Sequence, residues 1–256
     1  MRQASTGVLV PLFTNVTSEQ TAQITKLIQI RLSHPTVPML VVFDEKGGPG
    51  NYSTSTATEI RNMQSAGIAV LGYDPTWWGM RNITVVEQVM LTFHSWYGVN
   101  GIFLDQMPNW NYNGPNGTWH YTGPNGEFIP GYFSTLTNYG KSLGLTKIMA
   151  NAGADVPLDF IGSVDTIGTF ENPYLPSLSL TAGWISIAGL GAWHTSYNKT
   201  NFMFFSYNVT SLDPQYVLAA AKYVGYMYIT NGTQANDRYG NLSPYLEQLV
   251  SLLAAT

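Results

Sequence analysis

One feature constrains the fold more than any other: short apolar runs alternate with longer, mostly helix-periodic segments, and this happens eight times along the chain. Such alternation is typical of βα units that build a parallel sheet. The predicted strands cover residues 7–13, 38–43, 68–73, 101–104, 147–151, 166–170, 202–207 and 224–229. Eight βα units in 256 residues have the count and size of an α/β protein with a (β/α)8 TIM barrel. We expect a single domain spanning residues 1–256.

The segments between the strands contain the predicted helices. These cover residues 18–33, 55–66, 84–97, 131–143, 214–222 and 244–253, with weaker candidates near 156–161 and 178–187. Asp213 precedes a first-turn proline as an N-cap should, and Gly67 and Gly144 follow helical runs as C-cap glycines do. The longest irregular insertion, residues 106–130, follows the fourth strand. We expect it to lie over the active-site face of the barrel.

Charge and composition exclude several classes of protein. The net charge is −4 and the 11 lysines and arginines form no cluster, so we predict no nucleic-acid partner. The chain has no cysteine, and its four histidines show no metal-ligand spacing, so we predict neither a metal site nor a cofactor. The sequence also contains no nucleophile elbow, phosphate-binding loop or dinucleotide fingerprint.

Asparagine triplets of the form N-x-[ST] are unusually frequent. We take seven as candidate sites of N-linked glycosylation: Asn15, Asn51, Asn82, Asn116, Asn198, Asn208 and Asn231. The alternative is that an Asn- and Thr-rich composition produces these triplets by accident. No apolar run is long enough to span a membrane, and the N-terminus has no apolar leader. We therefore expect an extracellular or cell-surface protein whose signal peptide is absent from this sequence.

The acidic residues are concentrated where the predicted strands end. Of 15 acids, six lie at or just after the carboxyl end of a strand: Asp44, Glu45, Asp74, Asp105, Asp155 and Glu171. This is the face on which TIM barrels perform chemistry. Asp44, Asp105 and Asp155 could instead bond loop amides as caps or Asx turns. Glu171, which directly precedes Asn-Pro, has no obvious capping role.

A pair of carboxylates across a barrel mouth is what cleavage of a glycosidic bond requires, since one donates a proton and the other acts as nucleophile or base. The expected partner of such a pair is a polysaccharide whose sugar rings stack on aromatic side chains. Aromatic candidates near strand ends are Trp77, Trp78, Trp110, Tyr112, Trp119, Tyr121, Trp193, Tyr207 and Tyr228. Each of them alone could equally serve core packing or anchor a loop.

Six stretches in this order resemble the spherulin 4 family of glycoside hydrolases and the related endo-alpha-1,4-polygalactosaminidases. They are GVLVPLF, GGPG, GYDPTWWGMR, WYGVNGIFLDQ, GTFEN and YMYITNG. The resemblance extends from about Gly7 to Leu253. It implies a (β/α)8 barrel that acts on an exported, galactosamine-containing polysaccharide, with Asp105 and Glu171 in the active site. It further implies that Tyr73, Thr76 and Arg81 shape the cleft and that Asn151 belongs to it.

The sequence departs from the family pattern at two positions. Gln106 stands where the family usually has glutamate, and Asn231 stands where an aspartate is usual. Gln106 can contact substrate, but it can neither donate a catalytic proton nor ionise as a base. Asp74, at the end of the neighbouring strand, is a hypothetical replacement for the missing carboxylate.

Three hypotheses remain open at the level of sequence. The first is a secreted glycoside hydrolase that uses Asp105 and Glu171. The second is a polysaccharide-binding or cell-surface protein with a degenerate site, for which Gln106 is the indication. The third, which rests only on the frequency of glycosylation triplets and on low charge, is a structural glycoprotein of an envelope layer.

Overall fold

The computed structural model describes residues 5–13, 18–44, 47–109, 129–178 and 193–256. Eight parallel strands pair in chain order and the last closes onto the first, which makes a barrel. The strands are β1 Gly7–Phe13, β2 Met39–Asp44, β3 Ala69–Pro75, β4 Gly101–Asp105, β5 Lys147–Asn151, β6 Thr166–Asn172, β7 Phe202–Ser206 and β8 Tyr226–Ile229. The predicted (β/α)8 fold is confirmed.

Six α-helices in the described part of the chain flank the barrel. They are α1 Ser18–Ser33, α2 Thr54–Ser65, α3 Ile83–Tyr97, α4 Ile129–Ser142, α5 Pro214–Ala220 and α6 Leu246–Ala254. The weak helix predicted at 156–161 is a single 3₁₀ turn, Leu158–Phe160. The one predicted at 178–187 falls almost entirely outside the described residues, as does most of the 106–130 insertion. None of the described helices combines the length and apolar character needed to cross a membrane.

The predicted caps form for local chemical reasons. The carboxylate of Asp213 accepts a hydrogen bond from the backbone N–H of Gln215, 2.9 Å away, and Pro214 occupies the first turn of α5, where no N–H is needed. Gly67 and Gly144 follow α2 and α4 with φ of 83° and 88°, a left-handed conformation that costs glycine little.

The barrel strands are buried on both faces, which explains why they appear in the sequence as continuous apolar runs. Near the carboxyl ends of the strands an aromatic layer fills the interior. The ring of Phe103 lies 6.4 Å from Tyr73 and 6.1 Å from Phe205, and Phe13 lies 5.5 Å from Tyr73. The ring of Tyr239, from the loop after β8, lies within 6.0 Å of both Phe13 and Phe205. This layer is the floor beneath the predicted carboxylates.

Several strands run further than predicted, and most of the extra residues are polar. β4 includes Asp105, which pairs with Pro75 at the end of β3, and β6 includes Glu171 and Asn172. Both strands continue because their backbones still bond to their neighbours in the closed sheet, whatever the polarity of the side chain. The carboxylates therefore project from the last residues of strands rather than from loops.

Candidate active site

Three neighbouring strands bring together the two predicted catalytic residues and Asn151. Asp105 ends β4, Asn151 ends β5 and Glu171 is the penultimate residue of β6. The Nδ2 of Asn151 donates to Asp105 Oδ1 at 3.1 Å and to Glu171 Oε2 at 2.7 Å. Because they share one nitrogen, these two oxygens lie no further apart than about 5.8 Å, which is the sum of the two distances.

The orientation of the Asn151 amide is fixed by backbone groups. Its Oδ1 accepts a hydrogen bond from the N–H of Gly153 at 3.1 Å, so the NH₂ group must face the carboxylates. Gly153 has a left-handed φ of 65°, and its carbonyl in turn accepts from the N–H of Glu171 at 2.9 Å. On β6, a Cβ at Gly168 would lie 2.4 Å from Asn151 Oδ1. The amide occupies this place because residue 168 has no side chain.

Two tyrosines donate the outer hydrogen bonds of the pair. The hydroxyl of Tyr73 donates to Asp105 Oδ2 at 2.6 Å, and that of Tyr239 donates to Glu171 Oε1 at 2.9 Å. Burial, together with the neighbouring carboxylate, raises the pKa of each tyrosine well above its ordinary value. Both hydroxyls therefore stay protonated and act as permanent donors.

Glu171 has the electrostatic surroundings of a proton donor. Burial raises its pKa above the ordinary value of 4.5, and the charge of Asp105 raises it further. Asn151, Arg238 and Tyr239 act in the opposite direction because they stabilise the ionised form. Arg238 reaches this carboxylate with Nη1 3.3 Å from Oε1. Desolvation is the largest of these effects, so the carboxyl retains its proton to higher pH than an exposed glutamate.

A cavity of about 40 Å³ opens beside the pair. Asp105, Asn151 and Glu171 line it on one side, and Phe103 and Phe205 are among its apolar walls. About 10–15 Å³ of this kind of volume is enough for one water molecule, so the space has room for more than one water. The space can hold water or the reacting atoms of a ligand.

The predicted Thr76 and Gln106 lie in the turns next to Asp105. Thr76 is fully buried, and its hydroxyl lies 2.9 Å from the carbonyl of Asp105 and 3.0 Å from that of Gln106. Gln106 has a left-handed φ of 60°. Its side-chain Oε1 is buried and has no hydrogen-bond partner among the residues that the structure describes. Gln106 thus begins a strained turn that Thr76 holds together.

Asp74 is not brought to the pair. Its side chain is fully buried and forms an ion pair with Arg81, which also donates to the carbonyl of Pro75 at 2.8 Å. Burial raises the pKa of Asp74 to about 7, although Arg81 acts in the opposite direction. Side chains alternate along a strand, so Asp74 faces away from the interior that Tyr73 enters. The predicted replacement of a catalytic carboxylate by Asp74 has no support in this geometry.

Two further aromatic predictions, Trp77 and Tyr228, have different outcomes. Trp77 is 54% exposed beside the barrel mouth, with the guanidinium of Arg81 5.5 Å from its ring centre. Tyr228, in contrast, is fully buried, and its hydroxyl accepts the N–H of Ser243 at 2.8 Å, so it cannot contact a ligand in this conformation. The side chain of Trp193 lies outside the described residues.

Sequence reasoning missed Arg238 and Tyr239. Both follow β8 in an irregular loop, and Arg238 also stacks on Tyr207, with its guanidinium carbon 4.7 Å from the ring centre. The signal that could have found Arg238 is its place in the chain: of the few basic residues, Arg81 follows β3 and Arg238 follows β8, on the face of the carboxylates.

The glycosylation candidates that can be assessed lie at the surface: Asn51, Asn82, Asn198, Asn208 and Asn231 are exposed. Asn15 and Asn116 lie outside the described residues. At two triplets the asparagine Oδ1 accepts hydrogen bonds from the backbone N–H and hydroxyl of the threonine two residues later, Thr84 and Thr200. Those two triplets therefore have a local structural role as caps. In the described residues no group of acids and histidines could hold a metal ion.

The fold and site together define a class: a (β/α)8 barrel with a hydrogen-bonded carboxylate pair at the carboxyl ends of β4 and β6. The sequence profile of the spherulation-specific family 4, Spherulin4, matches residues 7–253. The chain belongs to this family, and the resemblance seen in its motifs is confirmed.

Individual relatives agree with this assignment. Spherulin-4 of Physarum polycephalum is 23% identical over 226 residues, which are 86% of this chain and 63% of that protein. The chain thus spans less than two thirds of the length of this relative. Aspergillus clavatus Sph3, solved in complex with GalNAc, superposes with a TM-score of 0.77 at 21% identity over 98% of both chains. The chitinase RmChi1 of Rhizomucor miehei gives 0.52 at 10% identity over 97% of this chain and 99% of its own. At these identities the structural likeness shows a common fold.

Proposed function

We propose that the protein is a secreted glycoside hydrolase that cleaves a galactosamine-containing polysaccharide with Asp105 and Glu171. The observation that carries the proposal is the Asn151 amide, whose single nitrogen donates to both carboxylates. This arrangement holds two acids close together beside a cavity with apolar walls. Hydrolysis of a glycosidic bond uses such a pair.

The two carboxylates have different surroundings and therefore different roles. Glu171, with its raised pKa, protonates the glycosidic oxygen as the bond to the anomeric carbon breaks. Asp105 forms a bond to that carbon through a carboxylate oxygen. In the second step Glu171, now ionised, takes a proton from water. The water oxygen attacks the anomeric carbon and the bond to Asp105 breaks.

Charge at the barrel mouth supports an amino sugar as the substrate. Asp44 and Asp105 lie close enough to raise the pKa of Tyr73, and Glu171 adds to the negative charge whenever it is ionised, while Arg238 supplies an opposing charge among the described residues. This excess of negative charge attracts a sugar with a free ammonium group. The structural relative Sph3 was crystallised with GalNAc, which is consistent with a galactosamine-type ring.

Gln106 does not remove either role from this mechanism. A proton donor and a nucleophile are both present without it, and its backbone carbonyl accepts bonds from Thr76 and from the N–H of Trp78. We propose that Gln106 shapes the cleft. We further propose an extracellular location with N-linked glycans, which the exposure of five candidate asparagines supports.

The test is release of reducing ends from acetylated and de-N-acetylated galactosaminans, with other amino-sugar polymers for comparison. Asp105→Asn and Glu171→Gln should each lower kcat by at least about 10³-fold. Asp159→Asn, in the 3₁₀ turn after β5, is the control and should retain activity. Full activity of either site variant would overturn the assignment of roles.

A second candidate function is polysaccharide binding without cleavage. Gln106 favours it, because an amide stands where the family usually has glutamate and can neither donate a catalytic proton nor act as a base. The same experiment separates the two functions. Polymer binding that survives Asp105→Asn and Glu171→Gln, without release of reducing ends by the wild type, would establish a binding protein.

A further inference from the structure

The loop between β3 and α3 presents two tryptophans to solvent. Trp77 and Trp78 are 54% and 41% exposed. Both have left-handed backbone conformations, with φ of 51° and 58°. Positive φ is unfavourable for bulky side chains and persists only where the surroundings enforce it. Two consecutive strained tryptophans therefore need an explanation in the contacts of the loop.

The loop is fastened to the turn that follows the catalytic strand. The backbone N–H and the hydroxyl of Thr76 both bond to the carbonyl of Asp105, each at 2.9 Å. The N–H of Trp78 donates to the carbonyl of Gln106, also at 2.9 Å. The backbone carrying the indoles thus lies against the residue next to Asp105.

Arg81 holds the loop from the other side. Its guanidinium pairs with the fully buried Asp74 and lies over one face of Trp77, 5.5 Å from the ring centre. The Arg81 carbonyl accepts the hydroxyl of Tyr132, on α4, at 3.0 Å. Arg81 is engaged within the protein by Asp74, and one face of the Trp77 indole is already covered. The part of the Trp77 indole that Arg81 leaves uncovered is an uncharged aromatic surface, already formed, that faces solvent.

We propose that Trp77 and Trp78 form a rigid platform that stacks on a pyranose unit next to the scissile bond, and that Asp74 and Arg81 are its positioning residues. The inference rests on the proposed function and specifies how that site holds a polymer. The occupant is a sugar because the platform adjoins the carboxylate pair through residues 105–106, and because C–H faces of pyranose rings pack on indoles. Preformed geometry favours binding since no loop must be ordered when the ligand arrives.

The experiment uses Glu171→Gln protein, so that ligand is not cleaved, and titrates it calorimetrically with galactosamine tetrasaccharide and with GalNAc monosaccharide. Trp77→Ala and Trp78→Ala should each weaken binding of the tetrasaccharide about ten-fold, the size of one well-placed aromatic contact. Binding of the monosaccharide should change little. Trp96→Ala is the matched control, because Trp96 is 40% exposed but packs on Tyr52 and Tyr97 near the far end of α3.

The positioning role is tested by coupling. Arg81→Lys keeps the charge but loses the planar group that covers the indole, and it should weaken tetrasaccharide binding nearly as much as Trp77→Ala. Combined with Trp77→Ala, it should add little further loss. Additive losses would overturn the positioning role, and Trp77 and Trp78 variants that bind like Trp96→Ala would overturn the platform. Hydrolysis by the wild type is measured separately. If the tryptophan variants bind the tetrasaccharide more weakly but the wild type releases no reducing ends, only the catalytic proposal is refuted. If neither the wild type nor any variant binds either sugar, both proposals are refuted.

Discussion

Asn151 is the residue on which the carboxylate pair depends. An amide cannot titrate, so it donates to Asp105 and Glu171 over the whole pH range, whereas a lysine there would favour ionisation of both acids. The amide therefore brings two acids close together without removing the proton that one of them needs. Asn151 itself favours the ionised form of Glu171, as do Arg238 and Tyr239, but burial outweighs these effects.

Replacing Arg238 should shift the pH profile of hydrolysis. In Arg238→Gln a cation that lowers the pKa of Glu171 is lost, so this pKa rises. A general acid is active only while protonated, and the alkaline limb of kcat/KM should therefore move to higher pH. The measurement is the pH profile on a galactosaminan. Arg61→Gln, on the exposed face of α2, is the control and should leave the profile unchanged; an alkaline limb that moves to lower pH would contradict the assignment of Glu171 as the acid.

Glu171 should also reduce stability at neutral pH. Its pKa is raised in the folded protein. At a pH between the ordinary and the raised pKa, the native state therefore binds more protons than the unfolded state. The free energy of unfolding falls as pH rises through this range. Glu171→Gln removes this loss. We expect its Tm to exceed that of the wild type by about 2–4 °C at pH 7.

Below pH 4, where the folded and unfolded states both carry the proton, this difference in Tm should largely disappear. Thermal unfolding followed by circular dichroism across the pH range measures it. Glu87→Gln, on the partly exposed surface of α3, serves as the matched control. A Tm difference that stayed constant from pH 4 to pH 7 would show that ionisation of Glu171 is not its cause.

At the scale of elements, strand β6 shows how backbone geometry positions the site. Its pairing with β7 shifts register between Gly168 and Phe170, a local irregularity that redirects the side chains after it. Glu171 follows this shift and points to Asn151, whose amide fills the space left by the missing Cβ of Gly168. One glycine thus permits both the position of the amide and the approach of the carboxylate.

Gly168→Ala should therefore damage activity more than folding. The added methyl would lie 2.4 Å from Asn151 Oδ1, so the amide must move and both carboxylates lose their shared donor. A displacement of about 1 Å in such a site can lower kcat about 10²-fold, while overpacking costs about 1–3 kcal/mol of stability. Activity and urea unfolding are measured on the same preparations.

Asn151→Ala provides the comparison for this substitution. Because both changes act through the same amide, the double variant should be hardly less active than Asn151→Ala alone. If the fold-losses in activity of the two single variants multiply in the double variant, Gly168 acts on the site by a route other than the Asn151 amide.

The elements also show what the sequence can and cannot reveal. Buried parallel strands are continuous apolar runs that end where the side chains become polar, so Asp105 and Glu171 could be located by inspection. Tyr228 could not be assessed in this way, because the pattern of β8 does not say which of its side chains meets solvent. Tyr239 contacts Glu171 across 68 positions of sequence from an irregular loop, and no periodic signal marks such a contact.

At the scale of the whole molecule, barrel closure makes the site from residues far apart in the chain. β4, β5 and β6 are successive neighbours, and the strand ends carry Asp105, Asn151 and Glu171 to one rim. A one-residue change of register would turn any of these side chains to the other face. The distance between the carboxylates is therefore a property of the barrel. The bridging amide of Asn151 limits the distance between the two oxygens that it binds, one from each carboxylate, to at most about 5.8 Å.

This separation predicts the stereochemical outcome of cleavage. Carboxyl groups about 5–5.5 Å apart leave no room for a water between base and anomeric carbon, as inversion requires, whereas inverting enzymes have about 6.5–9.5 Å. We therefore expect retention through a glycosyl ester on Asp105. Proton NMR recorded within minutes of mixing the enzyme with a galactosaminan should show the product anomer with the configuration of the cleaved bond, before mutarotation. Initial appearance of the opposite anomer would mean that the pair opens to admit water when substrate binds. In that case Asp105 would act as a base, and the close pair held by Asn151 would belong only to the unliganded barrel.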